Sequence, residues 1–212
     1  MSKRGIMVIL SGFAGTGKGT IVKEVLDKYD NYAISVSATT RQPRPGEVDG
    51  VNYFFISEEK FEEMIENDEF LEHASYVNNH YGTPRPYVEK CLSHGKNVIL
   101  EIEIQGALKI KEKYPETVMI FVLPPSANEL KSRLIGRGTE DKQTIELRLK
   151  RAIEESEYID KYQYVLINDN LEKCVEEFDE IIRSEQKRIQ NNKEFISDIK
   201  EQLNTKDFLK GE

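Results

Sequence analysis

Residues 6–10, IMVIL, run directly into SGFAGTGKGT, and apolar residues at helical spacing follow: Ile21, Val22, Val25 and Leu26. No other stretch restricts the fold as much. A continuous apolar run bounded by glycines reads as a strand buried on both faces. The loop after it has the form G-x-x-x-x-G-K, and strand, glycine loop and helix in that order are what a phosphate-cradling loop requires. Glycines let successive N–H groups turn inward, and the helix N-terminus adds partial positive charge. Gly12, Phe13, Ala14, Gly15, Thr16, Gly17, Lys18, Gly19 and Thr20 are therefore candidate contacts of a nucleoside triphosphate, with Lys18 neutralising the β and γ oxygens. The irregularity is Gly19, because a Ser or Thr that ligates Mg²⁺ often follows the lysine. Thr20 offers a hydroxyl one position on, and Mg²⁺ also tolerates a shell made mainly of nucleotide oxygens and water.

Three more apolar runs follow, at 97–104 (NVILEIEI), 117–123 (TVMIFVL) and 164–167 (YVLI), the first two each preceded by a helical segment. Strands alternating with helices predict an α/β fold with a parallel, doubly wound sheet. Residues 35–83 interrupt it with short β-rich pieces at 34–36 and 53–56, the Pro/Gly segment RQPRPGEVDG, and a helix starting at Ser57 with Phe61, Met64 and Ile65 on one face. SEEK at its start is close to a capping box. A second interruption, 133–151, is rich in arginine; Ile145, Leu149, Ala152 and Ile153 fit one helix face and leave Arg148 and Arg151 off it. A long helix from Leu171 places Val175, Phe178, Ile181 and Ile182 in register, and Phe195, Ile196, Ile199 and Leu203 predict one more helix in a polar tail after residue 191.

The 212 residues suit one domain with insertions. With 38% hydrophobic and 32% charged residues the chain reads as globular, and its net charge of -8 argues against general affinity for nucleic acid or an anionic membrane. Cys91 and Cys174 are far apart without a C-x-x-C, and there are only three histidines, so neither a disulfide framework nor a zinc site is expected. Reduced thiols and the lack of any run near ~20 apolar residues predict a cytoplasmic protein.

The segments SVSATTRQPRPGEVDGVNYFFIS, EFLEHASYVNNHYGTP and EIEIQGA resemble guanylate kinase, and the similarity runs from the glycine loop to about Arg188. That resemblance implies a P-loop NTPase core (about 1–34, 84–132 and 152–190), an inserted mixed α/β GMP-binding region (about 35–83), a helical lid (about 133–151) and a helical tail (191–212). It implies transfer of the γ-phosphoryl of ATP to GMP with Mg²⁺, and ATP and GMP as partners of a monomer or homodimer.

The residue chemistry agrees with it. An acceptor monophosphate is a dianion, and Arg41 and Arg44 with the hydroxyls of Tyr53 and Tyr81 form a clamp of charge-assisted donors, at positions that match the family's phosphate contacts. Guanine presents N–H donors at N1 and N2, so its selection needs buried acceptors. Glu72 matches the family's carboxylate for that edge, and Ser37 and Thr83 match the hydroxyls facing O6 and N7, with Thr83 where Ser is common. By the same match Gly82, Glu103, Gln105 and Gly106 border the base. Glu103 stands where the family usually has Asp. Glu101 and Glu103, read as alternating along a strand, either end it in solvent or reach the site; Glu101 is a candidate neighbour of the metal or Lys18.

Arg133, Arg137 and Arg148 match the lid, whose positive charge covers the moving phosphoryl group, while Arg151 reads as a surface salt-bridge residue. Arg133, Arg137 and Asn168 match positions on the ATP side. Lys18, Arg41, Arg137 and Arg148 are the catalytic candidates, and Thr20 is the candidate metal ligand. Two other functions fit parts of the pattern: a same-fold kinase of another phosphorylated acceptor such as a ribose phosphate, and a catalytically silent guanylate-kinase-like binding module. The purine-reading set Glu72, Ser37 and Thr83 speaks against the first, and the intact Lys18 against the second.

Overall fold

The structure is a computed structural model and describes residues 4–76, 79–136 and 141–204. Strand β1 (Met7–Gly12) leads into helix α1 (Lys18–Lys28) and strand β2 (Tyr32–Ile34). A second unit follows: β3 (Ala38–Thr39), β4 (Phe54–Phe55), α2 (Glu58–Glu66), β5 (Phe70–Tyr76) and β6 (Asn79–Pro84). The chain then returns through α3 (Arg85–Ser93), β7 (Asn97–Glu101), α4 (Ile104–Lys113), β8 (Val118–Leu123), α5 (Ala127–Gly136) and α6 (Lys142–Ser156). It ends with β9 (Tyr164–Ile167), α7 (Leu171–Glu185) and α8 (Lys193–Leu203). No helix among the described residues is long and apolar enough to cross a membrane.

The main sheet has the order β2-β7-β1-β8-β9 and every pairing in it is parallel. Because β1 is central, its connection leaves toward β2 while later connections run to β8 and β9, and the carboxyl ends beside β1 are where such sheets open a ligand crevice. The apolar run of β1 is buried on both sides: Val8, Ile9 and Leu10 are all 0% exposed. Val8 and Leu10 join Ile21, Val25, Val175, Phe178 and Ile182 from α1 and α7. Met7 and Ile9 point the other way, to Val88, Leu92, Ala107 and Ile110 from α3 and α4. Each such aliphatic side chain contributes about 1.5–3 kcal/mol on burial, so the strand that carries the glycine loop is among the most firmly held parts of the fold.

The second sheet has the order β4-β3-β6-β5, parallel between β3 and β4 and antiparallel elsewhere. It has its own small core of Ala38, Phe61, Met64 and Phe70, with Phe61 stacked on Phe70 at 4.5 Å. Ser57 caps α2 as its sequence predicts, accepting from the Lys60 N–H at 3.2 Å, but the third helical position is a lysine and no reciprocal acidic cap completes the box.

Four expectations change. The strand predicted at 97–104 ends at Glu101; Glu103 has left the sheet and occupies the N-cap position of α4, so the two glutamates do not alternate along one strand. The β segment predicted at 34–36 lies at 32–34 and belongs to the main sheet, pairing with β7. In α6, Ala152 is buried but Ile153 is 68% exposed, so the apolar face is narrower than the sequence pattern. The tail helix forms, yet Phe195 (66%), Ile199 and Leu203 face solvent.

Candidate active site

The glycine loop is built by conformations that side-chain-bearing residues rarely adopt. Gly15 and Gly17 have φ of +92° and +88°, and Gly17 is the N-cap of α1. Thr16, fully buried, donates its hydroxyl to the Phe13 carbonyl at 2.9 Å, which closes the loop on itself. Phe13 anchors it from below, edge-on to Phe121 at 5.2 Å. Asn168, placed by sequence on the ATP side, is buried and donates its amide to the Thr16 carbonyl at 2.8 Å. A Cβ on Gly17 would lie 2.5 Å from that amide nitrogen, so loop and Asn168 fit only with glycine there.

Lys18 begins α1, and its Nζ donates to the carbonyls of Gly12 at 2.6 Å and Phe13 at 3.2 Å, which draws the ammonium over the loop. Gly19 and Thr20 are exposed in the first turn of α1. A Cβ on Gly19 would meet the Glu101 carboxylate at 3.8 Å, ordinary contact, so glycine is not sterically required there and Glu101 faces the loop at that point. Desolvation pushes the Glu101 pKa up, opposed by the charge of Lys18. No group of three or more His, Cys, Asp or Glu able to hold a metal occurs among the described residues.

The inserted sheet brings the acceptor-side candidates together. Arg41 lies against the rings of Tyr53 at 5.4 Å and Phe55 at 5.7 Å, and Tyr53 packs edge-on to Tyr81 at 6.0 Å. Its guanidinium forms a two-pronged pair with Glu47, at 2.8 and 3.0 Å, which holds the Glu47 carboxyl below the usual range. The Arg44 side chain is exposed, while its backbone N–H donates to Glu47 at 2.7 Å. Desolvation raises the Tyr53 pKa, with the neighbouring Tyr81 acting in the same direction and the Arg41 charge opposing it.

Glu72 and Thr83 meet across the β5–β6 hairpin. The Thr83 hydroxyl, 0% exposed, donates to Glu72 Oε1 at 2.9 Å. Burial pushes the Glu72 pKa up and Thr83 moderates the shift. Glu72 Oε2 rests on Gly106 in the first turn of α4, where a Cβ would come within 3.1 Å of it. Gly82 is needed for a different reason: a Cβ there would strike the Phe70 ring at 2.7 Å. Ser37 is half-buried on the same sheet, its carbonyl accepting from Phe54 N–H at 2.9 Å, and Gln105 is exposed beside Gly106.

Arg133 pairs with Glu129 at 2.8 Å and Arg148 is half-buried on α6; Arg137 lies outside the described residues. Arg151 pairs with Glu155 at 2.9 Å, and also with Glu103 at 2.7 Å, so it ties α6 to the N-terminus of α4. Desolvation raises the Glu155 pKa, and it feels both Glu103 and Lys18. Glu47 and Glu155 were not legible as site residues. R-x-x-R-x-x-E was visible around Glu47 and an i,i+4 arginine before Glu155, but such spacings are common on solvated surfaces.

A family model described as guanylate kinase matches residues 4–185. A guanylate kinase of Clostridium perfringens (strain SM101 / Type A) is 52% identical over 200 residues, covering 94% of this chain and 93% of that protein. One of Caldanaerobacter subterraneus subsp. tengcongensis is 51% identical over 202 residues, covering 95% and 98%. The crystal structure of guanylate kinase from Anaplasma phagocytophilum superposes with a TM-score of 0.69 at 34% identity, covering 88% of this chain and 89% of that one.

Proposed function

The chain belongs to the guanylate kinase family, and from that premise we propose that it transfers the γ-phosphoryl group of ATP to GMP, yielding ADP and GDP. It is an ATP:GMP phosphotransferase, a nucleoside monophosphate kinase. The observation that carries the choice of acceptor is the part-buried Glu72–Thr83 pair on the inserted sheet, which rests on Gly106 of α4 and shares that sheet's unit with Arg41, Tyr53 and Tyr81.

An oxygen of the acceptor's phosphate attacks the γ-phosphorus, the bond from that phosphorus to the β-bridging oxygen breaks, and ADP leaves with the electron pair. The attacking oxygen is already anionic, so no strong general base is required and catalysis is positioning plus charge stabilisation. Lys18 and the loop N–H groups take the β and γ oxygens, Arg41 and Arg44 with Tyr53 and Tyr81 take the acceptor phosphate, and Arg133, Arg137 and Arg148 cover the moving group. Glu72 accepts from guanine N1–H and N2–H, and Ser37 and Thr83 serve its O6 and N7 side. Adenine has no N–H donors on that edge and would leave the part-buried carboxylate without the donors that guanine brings beyond Thr83, which is the source of discrimination.

The loop's surroundings fit Mg²⁺ carried with ATP: Thr20 is exposed in the first turn, Glu101 faces the loop, and the described residues supply no all-protein metal cage. Bound there, Mg²⁺ neutralises phosphate charge; Thr20 is the protein oxygen closest in kind to its usual ligand.

Replacing Lys18 by Ala tests the division into donor and acceptor halves. Turnover is expected to fall by about 10²-fold or more, with GMP affinity by calorimetry nearly unchanged. An equal loss of GMP affinity would show that the loop does not serve the donor alone.

A further inference from the structure

Strand β5 carries Glu72, and its hydrogen-bond ladder is interrupted just there. Phe70 is paired with Pro84 and His73 with Gly82, so two residues, Leu71 and Glu72, stand opposite one, Thr83. Such a bulge re-aims side chains. Here Leu71 enters the main core with Val88 and Ile110, while Glu72 meets the Thr83 hydroxyl. The ladder is disrupted at a bulge, so the direction of the carboxylate depends on what holds the strand on either side of it.

One hold is a helix. Gly106, Ile110 and Lys113 recur at i, i+4 and i+7 and share one face of α4. Glu72 Oε2 rests on Gly106, Leu71 clusters with Ile110, and Lys113 Nζ reaches Asp68 Oδ1 at 3.1 Å, so the chain from Asp68 to Glu72 lies along that face. The other hold is Arg85, the first residue of α3. Its Nη2 pairs with Asp68 Oδ2 at 2.6 Å and donates to the Phe70 carbonyl at 3.2 Å, and its backbone N–H donates to the Glu69 carbonyl at 2.7 Å. Asp68 thus bridges α3 and α4 two residues before β5 begins.

Asp68 has a φ of +52°, the one positive value at a non-glycine residue among the described residues. Glycine would take that conformation without steric cost, so what the aspartate adds there is its carboxylate. The side chains of Asp68, Arg85 and Lys113 are 67%, 28% and 45% exposed, and ion pairs this open add little stability. What they fix is position.

We propose that Asp68 and Arg85 are positioning residues for recognition of the base: by pinning the start of β5 to α3 and α4, they set where the bulged Glu72 presents its carboxylate, and so how sharply a purine with a 2-amino group is told from one without. This rests on the reading above that Glu72 accepts from guanine N1–H and N2–H. Asp68 and Arg85 act through Glu72 and do not touch the nucleotide.

Steady-state kinetics with GMP and with inosine monophosphate, which keeps N1–H and lacks the 2-amino group, test the proposal in the parent, Asp68→Gly, Arg85→Met, Glu72→Ala and the Asp68→Gly/Glu72→Ala double variant. Asp68→Gly removes the carboxylate and suits the backbone, so it is expected to fold as the parent does. In both Asp68→Gly and Arg85→Met the ratio of kcat/KM for GMP to that for inosine monophosphate is expected to fall about tenfold, within the reach of a displaced binding group, with KM for ATP unchanged. Asp68→Gly carries the test if Arg85→Met does not fold. In the Glu72→Ala background the same glycine substitution is expected to leave the ratio where it is, since the coupling runs through Glu72. An unchanged ratio in Asp68→Gly, or equal weakening of both nucleotides, overturns the proposal, the latter meaning that the pairs only hold the inserted unit together. A further fall in the double variant overturns it too. If the parent itself does not prefer GMP to inosine monophosphate, the reading of Glu72 fails first, and that is seen without any variant.

Discussion

In the proposed reading, selectivity for the base is concentrated at one residue, Glu72. Its carboxyl is pushed up by burial with Thr83 as its hydrogen-bond donor, so the ionised form is held at a disadvantage until a guanine edge supplies N–H donors. The folded pKa lies above the unfolded one; the neutral form's advantage is present below that window and is lost as pH rises through it. Glu72→Gln is therefore expected to melt no lower than the parent at neutral pH, with any gain disappearing in acid below the ordinary glutamate range, while KM for GMP rises at least about tenfold. Melting curves across pH together with GMP kinetics check both halves; a marked loss of stability at neutral pH would mean that Glu72 is already well compensated. For the same reason KM for GMP in the parent is expected to rise as pH falls through the raised pKa. Gly106→Ala tests the seat beneath it: the new Cβ, 3.1 Å from Oε2, forces the carboxylate to shift, and GMP binding should weaken several-fold with ATP binding untouched. Lys18, Arg41, Glu72 and Thr83, the proposed anion and base contacts, stand out in the sequence because such recognition demands those residue types in a motif context. Glu47's hold on Arg41 and Arg151's link to Glu103 do not, because an ion pair is chosen by packing and many spacings offer one.

At the scale of elements, the sequence pattern worked where burial is two-sided and long. β1 and β8 fall close to their apolar runs, and α1 and α7 bury most of the residues that their periodicity selected, Leu26 and Ile181 only partly; β9 also falls on its run, although Val165 and Ile167 are exposed. It missed the two-residue strand β3, too short for any period to show, while β4 falls inside the β piece expected at 53–56. It also failed where an apolar run continued into residues that leave the sheet, as at Glu103. The β5–β6 hairpin carries a register shift between Phe70 and His73, which breaks the alternation that would have marked it. The insertion depends on a core of few side chains, with Phe61 at 1% exposure in its middle. Phe61→Ala is expected to cost about 3–5 kcal/mol of local packing. GMP affinity should then collapse while ATP still binds, readable as loss of GMP-induced but not ATP-induced thermal stabilisation.

Across the whole molecule, a parallel sheet carries the glycine loop on its central strand, and a smaller sheet with a separate core carries the proposed acceptor residues. Arg151 links α6 to the N-terminus of α4, the helix on which Glu72 rests, so in the proposed reading the surroundings of both substrates meet there. In that reading the arrangement serves transfer from ATP to GMP. The most direct measurement is ADP release by the purified protein with Mg²⁺ and ATP, offered GMP, AMP, CMP and UMP in turn. GMP is expected to be phosphorylated far faster than the other three; equal rates with all four, or none with GMP, would contradict it.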